Sequence, residues 1–481
     1  MKIEKTSTGL RIKEPTDTIK QKCLRYFSLV NPVREYFIYS GNDPDHKPIF
    51  GKEKDVIYIT SGFLKINDRE ISQLKYSTIQ PPVGKKISIE MNRQPRSDLQ
   101  RDCIKKLTTS TSNKITVELK PGVGKTFIAL YSISILGLKP LIIAPTKLLK
   151  NQWIDNFVEC GINKSDIATN IYDAPNKTFC VVTISSIENE LRKDWYGLLK
   201  VMDEANFGIR VTDEAHLHLK GNLKFDAICN IKYNWYLSAT LGRSDVSEDN
   251  ILNRALLDAD RFVGSRLYEE YKHSYINVYF QDVYYYPSSK LCFENFKYGS
   301  KGLIKATYYQ MLIKYYDGKP LIRNIINITK RCRGLIDYGK MVLVIPLLSI
   351  IDMVVEEMKK DPFFNKYSFG SIDGSMSMAT RKEVMDGDII LSTMQSIGTG
   401  VDIPGLSILI NFDAFKSPIT AEQCVGRLRR RKDDKDCYYV DVCDHVRQAK
   451  TIANWVHSRQ SLLPYFPGVK TEMRRFPVIK S

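Results

Sequence analysis

The sequence predicts an α/β protein with two tandem lobes, each built on a parallel sheet, behind a small β-rich (α+β) N-terminal domain. Three observations carry this expectation. Short, nearly all-apolar runs alternate with helical segments over about 91–265. The same texture returns after about 335. A chain of 481 residues, 43% hydrophobic and 26% charged, is long enough for about three domains with cores of their own.

In chain order, residues 1–90 carry candidate strands at 35–40 (EYFIYS) and 55–64 (DVIYITSGFL). A helical pattern between Asp17 and Val30 puts Cys23, Leu24 and Phe27 on one face. The Gly41–Pro48 loop and the Pro81-Pro82-Val83-Gly84 run punctuate it. In a first lobe at 91–265, the runs at 115–119, 140–145, 178–183, 207–213 and 234–239 suit strands buried on both faces. In a second lobe at 336–481 the corresponding runs are 340–346, 367–372, 388–393, 406–412 and 437–442. Between the lobes, 266–335 reads as a connector or insert in which Tyr284, Tyr285, Tyr286, Tyr308, Tyr309, Tyr315 and Tyr316 fall among lysines. Interleaved aromatics and cations suit stacking on bases beside neutralised phosphates. A connector packing its tyrosines on a neighbouring lobe has the same pattern.

Composition removes several classes. Glycine and proline are too sparse for a linker-dominated or fibrous chain. No apolar run is long enough to cross a bilayer, and MKIEKTSTGLRIKEP lacks a signal-peptide apolar stretch. An intracellular, cytoplasmic location is therefore expected, the host cytoplasm for a virus or phage. The ten cysteines, Cys23 to Cys443, contain no C-x-x-C pair and the six histidines are scattered, so reduced thiols are expected with neither a zinc site nor a disulfide framework. A net charge of +17 favours a polyanionic partner, nucleic acid or anionic membrane.

Chemistry concentrates in a few segments. Leu119-Lys-Pro-Gly-Val-Gly-Lys-Thr126 follows a predicted strand and opens a helix predicted over 125–136. Glycines there let backbone N–H groups approach phosphate oxygens, and the helix N-terminus adds a favourable field. Lys125 would reach β/γ-phosphates and the Thr126 hydroxyl would ligate Mg²⁺. Asp213-Glu214-Ala215-His216 ends another strand, where Asp213 can hold a Mg²⁺–nucleotide complex and Glu214 can orient and deprotonate an attacking water. Ser238-Ala239-Thr240 ends a third. Gln423-Cys-Val-Gly-Arg-Leu-Arg-Arg430 places Arg427 and Arg430 three apart, expected on one helix face, suited to stabilising charge on a transferring phosphoryl group.

In this order, LKPGVGKT, DEAH, SAT, GTGVDIP at 398–404 and QCVGRLRR resemble the motif series of superfamily 2 DEAH-box helicases over about 91–445. Within them the chain looks most like the branch of phage UvsW and the XPB-type helicases. The resemblance implies RecA-like lobes, ATP and Mg²⁺ as cofactors, and cofactor contacts from Gln100, Gly122, Val123, Gly124, Lys125, Thr126, Gly400 and Asp402. Gln100 resembles the adenine-reading glutamine, although the aromatic usual before it is Leu99 here. Pro145, Thr146, Thr183 and Thr393 match nucleic-acid-contacting motif positions, and a strand-end threonine capping the next helix is the plainer alternative for Thr183 and Thr393. His216, Ser238, Thr240 and Gln423 match positions that couple hydrolysis to strand movement.

The expected function is an ATP-dependent DNA helicase or branch-migrating translocase of replication, recombination or repair, a monomeric motor with no membrane partner. The rivals are an RNA helicase or transcript-release factor of a large DNA virus, with transcription proteins as partners, and an inactive nucleic-acid-binding clamp. The Asn31–Tyr36 segment, the Gly41–Gly51 loop and Ile59–Leu64 resemble the accessory DNA-binding domain of such phage enzymes.

Overall fold

A computed structural model describes residues 2–13, 16, 38–39, 56–60, 75, 77–120, 123–239, 249, 252–253, 255–264, 274–285, 298–299, 302–316, 319–373, 376, 378–398, 403–415, 417–431, 433–446, 450–466 and 468–480. The chain divides into two compact units, Met1–Tyr268 and Glu269–Ser481. Among the described residues no helix is long and apolar enough to cross a membrane.

The first unit opens with β1 (Lys2–Lys5), β2 (Gly9–Lys13), β3 (Ile38–Tyr39), β4 (Val56–Thr60) and β5 (Ser77–Thr78), in sheet order β3-β4-β2-β1-β5. The strands expected within 35–40 and 55–64 are present as β3 and β4. The helical pattern of 17–30 and the 41–48 loop lie outside the described residues. The β1–β2 turn is tied to the lobe that follows: Thr8 Oγ1 donates to Asp226 O at 2.9 Å and Ser7 N–H to Asn230 Oδ1 at 2.9 Å.

That lobe runs α1 (Asp98–Thr109), β6 (Lys114–Glu118), α2 (Lys125–Leu136), β7 (Pro140–Ala144), α3 (Lys147–Glu159), β8 (Ile167–Ala168), β9 (Phe179–Thr183), α4 (Ile184–Ala205), β10 (Ile209–Thr212), α5 (Leu219–Ile228), β11 (Tyr233–Ser238) and β12 (Asp260–Val263). Among the described residues its seven strands are all parallel, in order β12-β6-β11-β10-β7-β9-β8. Every residue of β7, β9 and β10 is buried, as a sheet covered on both faces requires.

Lys139, just before β7, is 0% exposed, with Nζ donating to Ala174 O at 2.6 Å and lying over the Phe207 ring. Burial, with Lys85 nearby, pushes its pKa down to about 8 from the usual 10.5. Between those two values the unfolded chain holds a proton that the folded chain has lost, so this group's destabilisation is complete below pH 8 and is relieved as pH rises toward 10.5. Lys139→Met is expected to stabilise the first unit at pH 7 by roughly 1–3 kcal/mol, with the gain shrinking as pH rises through that window. Urea denaturation of both proteins across that range checks it, and a pH-independent difference would count against the buried charge.

The second unit runs β13 (Ile276–Tyr285), the hairpin β14 (Tyr298–Gly299) and β15 (Gly302–Leu303), α6 (Lys305–Tyr316), α7 (Lys319–Leu335), β16 (Lys340–Val344), α8 (Leu348–Lys360), β17 (Phe369–Ile372), α9 (Met378–Asp386), β18 (Ile389–Ser392), α10 (Met394–Gly398), β19 (Leu406–Asn411), α11 (Pro418–Val425), β20 (Cys437–Val446), α12 (Lys450–Gln460), β21 (Val469–Arg475) and β22 (Ile479–Lys480). Its main sheet is parallel in order β17-β18-β16-β19-β20-β13-β21, with β22 also on β13.

The connector expected over 266–335 differs from this. Its β13 lies inside the second sheet, between β20 and β21, and its helices line the same core. Tyr285, Tyr308 and Tyr309 are buried with Leu321, Ile325 and Ile328 rather than presented to bases. Tyr309 Oη donates to Phe412 O and accepts from Ala414 N–H, both at 3.1 Å, and Lys305 is paired with Asp413 at 2.6 Å. Tyrosine rings supply large apolar area once their hydroxyls find partners, and composition alone does not separate that use from stacking on a ligand. Tyr286, like the side chains of Tyr315 and Tyr316, lies outside what is described.

Candidate active site

The site in the first unit is built where β6, β11 and β10, neighbours in the sheet, end at their carboxyl edges, the place where parallel α/β sheets bind ligands. From β6 the chain passes through Leu119, whose N–H donates to Ser238 O at 3.0 Å, and turns into α2 at Gly124. Gly124 has φ +92, a left-handed conformation that favours glycine, and a Cβ there would press on Gln100 Nε2 at 2.9 Å. The helix begins at Lys125, as the sequence predicts, and no side chain caps it. Its first-turn N–H groups are thereby left for an anion, and together with Lys125 they fit a nucleotide phosphate chain.

Gln100, on α1, is buried against this loop. Its Nε2 donates to Val123 O at 2.7 Å and its Oε1 accepts from Arg96 N–H at 2.9 Å. Both ends of the carboxamide are engaged with the chain itself, so here Gln100 fixes the loop. Gly122 lies outside the described residues. Thr126 is half-buried in the first turn of α2.

β10 delivers the acidic pair. Asp213 is buried, its Oδ2 accepting from Trp153 Nε1–H at 2.8 Å and its Oδ1 from Glu214 N–H at 2.9 Å. Burial first, and then the neighbouring Glu214 charge, raise its pKa above the usual carboxylate range. A buried carboxylate destabilised in this way gains most from a divalent cation. Glu214 has φ +44, a left-handed backbone unusual for a side chain of its size. Its Oε1 lies 3.3 Å from Lys125 Nζ, which also donates to Leu119 O at 3.3 Å, and its Oε2 lies 3.4 Å from His216 Nδ1. His216 Nδ1 is 2.7 Å from Ser238 Oγ, at the end of β11. Four expected residues therefore form one continuous series, Lys125–Glu214–His216–Ser238, from the loop to the start of the segment bearing Thr240. Thr240 itself lies outside the described residues.

Pro145 is buried after β7. Thr146 and Thr183 are the caps of α3 and α4, accepting from Leu149 N–H and Ser186 N–H at 3.2 Å each. Thr393 caps α10 through Ser396 N–H at 3.3 Å. The structure thus gives all three threonines a helix-capping role.

In the second unit, Gln423 lies on α11. Gly400 and Asp402 lie outside the described residues. Arg427 and Arg430 do not share a helix face, because α11 ends at Val425 and Gly426 closes it by donating to Glu422 O at 2.8 Å. Beyond the helix the chain continues in tight turns, Arg427 N–H donating to Cys424 O at 3.2 Å and Leu428 N–H to Val425 O at 3.0 Å, and Leu428 is buried between the two arginines. Arg430 reaches Asp434 at 3.0 Å and Arg431 grips Asp433 at 2.7 Å and Ser407 Oγ, so the basic run is partly structural.

Sequence reasoning missed two positioning residues. Trp153 orients Asp213, as described above. Arg459, on α12, is completely buried: it grips Asp441 at 2.7 and 3.2 Å and donates to Asp413 O and Phe415 O, pinning the segment that leads into α11. The readable signal was Asp441, an acid in the middle of an apolar strand, which needs a buried cation. Arg459→Met is expected to cost about 3–5 kcal/mol, since it leaves the Asp441 carboxylate buried without a countercharge, held only by Asn411 and Tyr439. Urea unfolding followed in the second unit measures it, and a loss below about 1 kcal/mol would contradict the pairing.

Comparison with known proteins bears on the same segments. Residues 93–243 match the family model for the type III restriction enzyme res subunit, and 329–432 match the helicase conserved C-terminal domain. Transcript termination protein A18 of fowlpox virus is 23% identical over 329 residues, 66% of each chain. A putative ATP-dependent RNA helicase, L396, of Acanthamoeba polyphaga mimivirus is 26% identical over 398 residues, 77% of this chain and 67% of that one. A putative DNA 3′-5′ helicase, Rad25, of Haloarcula marismortui is 29% identical over 167 residues, 34% of this chain and 26% of that one. Alignment with the first two thus spans about two thirds of their length. Among solved structures, S. cerevisiae Dbp5 bound to RNA and ADP BeF3 superposes with a TM-score of 0.54 at 15% identity, covering 79% of this chain and 90% of that one. At that identity the likeness establishes the fold of RecA-like helicase lobes.

Proposed function

Because the chain belongs to the superfamily 2 helicases, with both the N-terminal and C-terminal helicase regions present, we propose that it is an ATP-driven motor that steps along a nucleic-acid strand. The observation that carries this is the Lys125–Glu214–His216–Ser238 series, which joins the phosphate loop to the strand end at which coupling would begin. Lys125 and the first N–H groups of α2 would hold the nucleotide phosphates. Thr126 and Asp213 would hold Mg²⁺, which supplies charge neutralisation when bound. Glu214 would orient and deprotonate the attacking water. Arg427 and Arg430 would add charge stabilisation of the transferring phosphoryl group. Pro145, Thr146, Thr183 and Thr393 would contact strand phosphates.

Two polymers fit this motor. A DNA strand is supported by the motif layout and by the relative named a DNA 3′-5′ helicase. A transcript is supported by the two longer alignments, to a termination protein and an RNA helicase. The net charge of +17 serves either, since the phosphate backbone dominates affinity in both. ATP turnover with single-stranded DNA, forked DNA, a branched junction and RNA decides between them. Stimulation by RNA alone overturns the DNA reading, stimulation by DNA alone overturns the transcript reading, and unstimulated or absent turnover overturns the motor.

A further inference from the structure

Outside the candidate active site, the second unit gathers four side chains whose donor atoms all lie within 4.8 Å of one another: Asp282, Cys443, His445 and His457. We propose that they form a Zn²⁺ site that staples β13, β20 and α12 together.

The placement follows from the sheet. β13 and β20 are parallel neighbours with Asp282 opposite Cys443 and Tyr284 opposite His445. Cys443 and His445 are two apart on β20 and therefore point to the same face as Asp282. The helix α12, packed over that face through Ile452 and Val456, adds His457. Cys443 Sγ is 3.7 Å from His457 Nε2, and His445 Nε2 is 2.8 Å from Asp282 Oδ1. In a tetrahedral zinc site, metal–sulfur and metal–nitrogen bonds of about 2.3 and 2.0 Å put neighbouring donors about 3.3–3.7 Å apart. The cysteine–histidine edge already has that length. The aspartate–histidine edge, now a hydrogen bond, has to open by about 0.5 Å, which a small side-chain rotation supplies.

The surroundings orient the donors. Arg475 holds the other carboxylate oxygen, Oδ2 of Asp282, at 2.8 Å and leaves Oδ1 facing the cluster. Tyr284 stacks on the His445 ring at 4.3 Å and fixes its plane. Supports of this kind commonly set the geometry of metal ligands. One thiolate, two imidazoles and one carboxylate select Zn²⁺ over the oxygen-seeking Mg²⁺ and Ca²⁺. Four protein donors fill a tetrahedron, so the site is structural and has no open catalytic position. Binding displaces the thiol proton of Cys443, and the His445 proton that now bridges Nε2 and Asp282 Oδ1 moves to Nδ1, so that the Nε2 lone pair faces the metal; nothing is oxidised or reduced. The staple lies on the same helix as Arg459 and would rigidify its hold on the segment before α11.

The test uses the full chain after chelator treatment, with Co²⁺ as the optical probe and Zn²⁺ as the stabilising ion. One equivalent of Co²⁺ should give intense tetrahedral visible bands together with a thiolate-to-metal charge-transfer band. Co²⁺ held by oxygens at the phosphate loop gives neither. Zn²⁺ should raise the thermal midpoint and displace the cobalt spectrum. Cys443→Ser should abolish the sulfur band. His457→Gln, at an exposed position that leaves the core intact, should weaken Zn²⁺ binding at least about tenfold and cancel most of the thermal shift. Weak octahedral bands alone, a sulfur band surviving Cys443→Ser, or Zn²⁺ affinity unchanged in His457→Gln would each overturn the site.

Discussion

Glu214→Gln is expected to lower the turnover number for ATP by about 10²–10⁴-fold, the usual contribution of a positioned general base. Glutamine keeps the size of the side chain and can still accept from Lys125, 3.3 Å away, so folding and nucleotide affinity should change little. The distinguishing signature is therefore a fall in kcat with KM for ATP held within a few fold, because the missing interaction is made only as water attacks. Steady-state turnover with a saturating polynucleotide, beside equilibrium binding of a fluorescent nucleotide, separates the two terms. A kcat within tenfold of the parent would remove Glu214 from the chemistry. The left-handed backbone at Glu214 would then be a feature of the turn alone.

Arg427→Ala is expected to lower kcat by about 10³-fold, the lower end for an arginine that stabilises a transferring phosphoryl group. Arg427→Lys should recover little of it, since an ammonium cannot reproduce the planar fork of donors. Arg430→Ala should cost less. The Arg430 guanidinium, half exposed and paired with Asp434 at 3.0 Å, has to exchange an existing partner to act. Single-turnover hydrolysis measures all three variants, and a loss below about fivefold at Arg427 would leave the basic run a purely structural or strand-contacting feature.

Much of the first lobe could be read from local pattern. The runs over 115–119, 140–145, 178–183, 207–213 and 234–239 became β6, β7, β9, β10 and β11 with ends shifted by a residue or two. Those strands are buried on both faces, and no polar alternation blurs their signal. The phosphate loop and the start of α2 were legible because their chemistry is local, a left-handed glycine followed at once by a helix N-terminus. The acidic pair, His216 and Ser238 were readable as strand ends. Their mutual contacts were not, since these depend on β10 and β11 being neighbours.

The sequence by itself determined the two parallel sheets, the glycine turn into α2 and the residues proposed to serve phosphoryl transfer, because each rests on a few consecutive side chains and on backbone geometry they impose locally. Only the tertiary structure decided the rest. It placed β13 inside the second sheet against a strand far along the chain, and it buried Tyr308 and Tyr309 in a core that composition could not tell from a stacking surface. It ended α11 at Val425, before Arg427, with Gly426 as its cap. It joined Asp282 to His445 across 163 residues, where no spacing rule reaches. The division has one physical cause: hydrogen-bonding pattern and dihedral preference are set by near neighbours, whereas burial and the company a polar group keeps are set by the packing of the whole unit.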